Sequence, residues 1–134
     1  MNHLRRGVWL ACAALGLLVA GLPGANGQES RGSISGRVID AQGGVVPGAT
    51  VTVVNVGTAA TAALTTNAVG QYTALLLEPG TYRVTFATGA HFARTGQPSF
   101  YPEVVISFSL TDPDAHYHVP LLLSPYAFST YRGS

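Results

Sequence analysis

The sequence predicts an all-β sandwich, and three observations carry the prediction. Helical periodicity is almost absent along the 134 residues. In its place, short runs of β-branched and aromatic residues alternate apolar with polar, which is the period of a half-buried strand. Gly, Pro, Asn and Asp clusters separate these runs at roughly 8–12-residue intervals, the spacing of a sandwich rather than of a βαβ fold.

The first 27 residues stand apart. Arg5 and Arg6 precede an apolar run without charge at 7–22, Pro23-Gly24 breaks it, and Ala25-Asn26-Gly27 offers small residues at a cleavage site. Residues 1–27 therefore read as a secretory signal peptide. The run falls short of the roughly 20 apolar residues that a membrane anchor needs, so no membrane association is expected once the signal is removed. The adjacent arginines leave Sec and twin-arginine export both open. A single domain, residues 28–134, is then exported to the periplasm or secreted.

Within that domain, Ser33 to Asp40 alternates, placing Ile34 and Val38 on one face and Arg37 on the other. Gln42-Gly43-Gly44 and Pro47-Gly48 are turns, and Ala49 to Asn55 repeats β-branched residues as a second strand. Thr58 to Thr66, rich in Ala and Thr, reads as a weak edge strand. Asn67-Ala68-Val69-Gly70 has the chemistry of a hairpin turn into a strand from Gln71 to Leu77. After the Glu78-Pro79-Gly80 turn, Tyr82, Val84 and Phe86 share one strand face. Residues 89–96 are the one stretch with helical character, two turns at most, closed by Gly96. Val104 to Leu110 alternates again, and Thr111-Asp112-Pro113-Asp114 turns the chain into a final pair. The total is seven or eight strands, with Tyr82, Phe86, Phe108 and Tyr126 as core aromatics.

Composition excludes several functions. Removing the signal leaves five arginines, no lysine and no basic cluster, which argues against nucleic acid as a partner. Cys12, the only cysteine, lies in the signal, so the domain has neither disulfide nor thiol chemistry. A hydrophobic core alone must hold it. With 10% charged and 47% apolar residues, more surface is buried than one small domain accounts for, most simply by oligomerisation.

The last nineteen residues are too dense in strand formers for a dispensable tail. Gly80-Thr81-Tyr82-Arg83, Phe100-Tyr101-Pro102-Glu103, His116-Tyr117-His118-Val119-Pro120 and the terminal Tyr131-Arg132-Gly133-Ser134 resemble the 5-hydroxyisourate hydrolase branch of the transthyretin family. The terminal tetrapeptide is the specific part, since transthyretins proper lack it. Upstream, Gly36-Arg37-Val38-Ile39-Asp40, Pro47-Gly48-Ala49 and Gly70-Gln71-Tyr72 resemble carboxypeptidase regulatory-like modules. Both resemblances imply one prealbumin-like architecture, two four-stranded sheets face to face. The hydrolases further imply a homotetramer with sites in a central channel, and a small purine derivative, 5-hydroxyisourate, as substrate.

The implied reaction opens a cyclic amide and needs a base for water, a donor for the oxyanion and groups that grip a polar ring. No metal or other cofactor is required. By resemblance, His118 and Ser134 are the catalytic residues, His118 activating water or relaying its proton, while Arg132 and His116 contribute to the substrate pocket. Two positions depart from the family. Arg37 stands where the hydrolases carry a histidine, and Gln71 where they carry an arginine. Both remain substrate-binding candidates, but a guanidinium cannot take a proton near neutrality, so a two-histidine mechanism is unavailable. The alternative is a non-catalytic transthyretin-like or regulatory-like binding module of the cell envelope.

Other readings of these residues are structural. His116 and His118 alternate on one strand face, yet His91 is the only third histidine on offer, too few for a metal site. His116 is expected to cap the turn beside Asp112 or Asp114. Arg83 and Arg94 are expected at solvent or at an interface.

Overall fold

A computed structural model describes residues 32–133. The signal peptide read at 1–27 and Ser134 lie outside the described residues. Nine strands and one helix follow in the order β1 (Gly32–Asp40), β2 (Thr50–Asn55), β3 (Thr61–Thr65), β4 (Gln71–Leu77), β5 (Gly80–Phe86), α1 (Thr88–Arg94), β6 (Val104–Leu110), β7 (His116–His118), β8 (Leu121–Ser124) and β9 (Ala127–Thr130). One sheet runs β4-β1-β8-β9 with β7 also on β1, and the other runs β3-β2-β5-β6.

The ninth strand comes from a break. β7 pairs in parallel with Ser33–Ser35 and β8 with Val38–Asp40, so the two occupy one lane beside β1. Pro120 sits between them. It has no N–H for the ladder, and the Val119 carbonyl turns away to accept the buried Tyr72 hydroxyl at 2.6 Å. Burial raises the Tyr72 pKa, which keeps the phenol a donor at any ordinary pH. Counted by lanes, the expected pair of four-stranded sheets is what forms.

The turn at 67–70 does not close a hairpin. Asn67 Oδ1 accepts the N–H groups of Val69 and Gln71, and Gly70 takes φ +76°. However, β3 pairs β2 while β4 pairs β1, so the chain arches from one sheet to the other. Asx-turn chemistry serves a hairpin and an arch equally, and local sequence does not separate them.

The core fills the space between the sheets. Ile34, Val51, Val84, Phe86 and Leu121 are at most 1% exposed, and burying each such side chain stabilises the fold by about 1.5–3 kcal/mol. Tyr72 of one sheet meets Phe86 of the other edge to face, ring centroids 5.5 Å apart. Helix α1 ends as its glycine predicts. Gly96 N–H donates to Ala93 O and Gln97 N–H to Phe92 O, a Schellman pair with Gly96 at φ +71°. Tyr126 departs from the core assignment: it is 64% exposed, because it falls in the turn between β8 and β9 rather than on a strand face.

Candidate functional site

Alternation divides β1 between two environments. Ile34 and Val38 face the other sheet, while Ser35, Arg37 and Ile39 point outward. The pairing then assembles a site on that outer face. Arg37 lies opposite Gln71 on β4, and Ser35 stands between Thr73 on β4 and His118 on β7. Residues directly opposite bring their Cβ atoms to roughly 4.5–5.5 Å, so three residues distant in sequence converge within two rungs of one sheet.

These side chains line a concavity of about 580 Å³, within the usual size of a small-ligand site. Arg37, Gln71, Ser35, Thr73 and His118 form its polar wall; Ile39, Pro120 and Leu122 form an apolar floor, with Tyr131 at the rim. Arg37 and Gln71 are exposed, whereas His118 is half-buried. The Arg37 guanidinium offers a fixed cation with five donors, Gln71 offers both a donor and an acceptor, and His118 is the group that can take and return a proton. Such a wall suits a flat, carbonyl-rich ring held over an apolar floor. Among the described residues, no three His, Cys, Asp or Glu side chains gather closely enough to hold a metal ion.

Two of the residues picked from the sequence lie elsewhere. His116 shares the outer face but does not line the concavity, and its Nδ1 is hydrogen-bonded to Ser33 Oγ. That bond replaces the expected cap on Asp112 or Asp114. Ser33 is 5% exposed, and the parallel register sets it beside His116. Asp112 instead caps its own turn through Asp114 N–H. Arg132 stacks over the inward-facing ring of Tyr117, 5.0 Å from its centroid, where it covers an apolar cleft at the sandwich edge. The sixth candidate, Ser134, lies outside the described residues. Arg83 is exposed, and Arg94 donates to Gly48 O at 2.9 Å.

Ser35, Thr73 and Tyr131, like the apolar floor, are lining residues that sequence reasoning missed. Ser35 and Thr73 were findable in principle, since they sit two residues from Arg37 and Gln71 on the same strand faces. Tyr131 was not, because it reaches the rim only once β9 pairs with β8.

Comparison with known proteins places the chain's sequence and fold. The model of the family described as "HIUase/Transthyretin family" matches residues 34–133. A 5-hydroxyisourate hydrolase of Salmonella typhimurium is 52% identical over 56 residues, 42% of this chain and 41% of that protein. The chain thus spans well under half the length of that relative. Among solved structures, a Klebsiella pneumoniae 5-hydroxyisourate hydrolase superposes with a TM-score of 0.68 at 39% identity, covering 76% of this chain and 99% of the other. The transthyretin of Sparus aurata superposes at 0.65 with 23% identity over 75% of this chain and 95% of its own, a likeness of fold.

Proposed function

The chain belongs to the HIUase/transthyretin family, and from that premise we propose that it hydrolyses 5-hydroxyisourate in purine breakdown. The observation that carries the reading is the convergence of Arg37, Gln71 and His118 in one concavity on the outer sheet face. The similarity to the Klebsiella and Salmonella hydrolases supports it.

In this reading the bicyclic substrate lies over Ile39, Pro120 and Leu122, with Gln71 and Thr73 hydrogen-bonding its ring amides. Water attacks the amide carbonyl as His118 takes its proton, and the new C–O bond pushes the electron pair onto oxygen. The Arg37 guanidinium donates to that oxyanion, which gains most from a charged donor. As the intermediate collapses, the ring C–N bond breaks and the imidazolium returns the proton to the departing nitrogen. One imidazole thus serves as base and then acid. The arginine at position 37 stabilises charge and takes no part in proton transfer.

The concavity opens to solvent on a sheet face. A homotetramer in which these faces meet would close it from above, in keeping with the sparsely charged composition. Export to the periplasm or the medium with loss of residues 1–27 rests on the signal-like N-terminus.

One preparation tests these points together. The full-length chain, expressed in a bacterial host and recovered from the periplasm, should have the intact mass of residues 28–134 and scatter light as a tetramer. Mixed with freshly generated 5-hydroxyisourate, it should speed loss of the substrate's ultraviolet band and give optically active product. Decay at the spontaneous rate would overturn the hydrolase reading and leave a ligand-binding module, the role that favours a cation without a second base at position 37.

A further inference from the structure

The tail beyond β9 runs back across β7, and its residues alternate in what they touch. Thr130 Oγ1 donates to Pro120 O at 2.8 Å, tying the end of β9 to the strand break. Tyr131 stands at the rim of the concavity. Arg132 drops to the opposite side and stacks on Tyr117. Gly133 N–H then donates to His118 O at 2.8 Å, closing an antiparallel bridge between the two residues.

Gly133 does more than pair. A Cβ built on it would overlap His118 Nδ1 and stand 2.8 Å from Cγ and 3.0 Å from Cβ of the same ring. The Gly133 main chain therefore lies against the Nδ1 edge of the imidazole, at a distance that only glycine permits. With that edge walled by backbone, Nε2 is the nitrogen left for the concavity. The anchor beneath is firm. The Tyr117 hydroxyl accepts the N–H groups of Thr111 at 3.2 Å and Asp112 at 3.1 Å, so the ring under Arg132 cannot swing.

From this we infer that Tyr131–Gly133 is a strap that sets the orientation of the His118 ring and leaves Nε2 facing the concavity, with Gly133 and Arg132 as positioning residues that act through it. The inference deepens the hydrolase reading and rests on it for its kinetic consequence, though its geometric part stands on the contacts alone. Gly133 holds the ring laterally. Arg132 holds the strap down through a cation–π contact that a broad guanidinium fills better than an ammonium.

The test is Gly133→Ala in the full mature protein, read by imidazole nitrogen NMR and by steady-state kinetics. In the wild type, His118 should show one set of ring-nitrogen signals, the mark of a single fixed environment. In the variant, that single set should give way to a mixture of environments. Misplacing a catalytic group by about 1 Å costs up to ~10²-fold, so kcat should fall by ~10–100-fold with KM changing much less. Arg132→Lys should reproduce both effects more weakly, and Arg132→Ala more strongly. If Gly133→Ala does not fold, the Arg132 pair decides the matter by the same readouts. A wild-type His118 spectrum in folded variants overturns the strap. An inactive wild type in which the variants still disturb the His118 signals retains the strap and overturns only the hydrolysis.

Discussion

His118→Asn is expected to lower kcat/KM for 5-hydroxyisourate by ~10²–10⁴-fold, the usual worth of a positioned general base, with little change in thermal midpoint. His118 is half-buried on the outer sheet face, away from the packed layer between the sheets. Removing the imidazole therefore takes away proton transfer and leaves the core intact. Asparagine keeps a donor and an acceptor but cannot take a proton near neutrality. The loss should be near the top of that range, because Arg37 cannot replace the base. His116→Ala is the matched control. Its Nδ1 is engaged by Ser33 outside the concavity, so activity should change by no more than a few-fold. Equal losses at both positions would move the site away from the concavity, and full activity in His118→Asn would end the one-base mechanism.

Gly36→Ala is expected to be the most destabilising single-methyl change at a glycine of β1. Gly36 lies on the inward face of β1, directly under the break between β7 and β8, and a Cβ there would overlap the Val119 carbonyl oxygen and come within 2.8 Å of Tyr72 Cε1. Both neighbours are fixed: Val119 N–H donates to Ser35 O at 2.7 Å, and Val119 O is held by the Tyr72 hydroxyl. Overpacking a core typically costs about 1–3 kcal/mol. Leaving the Tyr72–Val119 hydrogen bond unmade in a buried place adds about 1–3 kcal/mol. Against a total stability of about 5–15 kcal/mol for a domain this size, a combined loss of about 2–6 kcal/mol is a large share. Urea unfolding should show the midpoint falling with an unchanged slope. Tyr72→Phe separates the two contributions, since it removes the hydrogen bond without adding bulk and should cost only the second part. A wild-type midpoint for Gly36→Ala would mean that the β7–β8 break yields freely. The break also carries His118 and Pro120, so any Gly36→Ala that does fold should bind substrate poorly.

Both predictions concern residues whose roles were unequally legible. His118 announced itself, because a histidine two residues from another on a short strand, followed by Val-Pro and a Leu run, has few other readings. Gly36 did not: as one of sixteen glycines, it looks like an ordinary strand interruption, and its need for close approach appears only when β7, β8 and β4 crowd around it. Arg132 shows the opposite error. Its place in the terminal tetrapeptide suggested the pocket, yet strand alternation puts it one residue out of phase with Tyr131 and onto Tyr117. Phase in a non-strand tail depends on where the chain turns back, and residue identity does not set that. His116 was read both as a pocket residue and as a turn cap; it does not line the concavity, and its partner Ser33 is 83 residues away in sequence.

By itself the sequence determined what depends on near neighbours. Periodicity set the strands and their faces, turn chemistry set their ends, Gly96 set the end of the helix, and two segments carried the family likeness. Only the tertiary structure decided what depends on pairing between distant strands. It made the 67–70 turn an arch, laid β7 and β8 in one lane beside β1, brought Arg37, Gln71 and His118 to one concavity, and drew the tail across the imidazole. The physical reason is that a turn or a strand face is fixed by local sterics and hydrogen bonding within a few residues. Register between strands is fixed by the joint fit of a whole buried layer, which no single stretch of the chain contains.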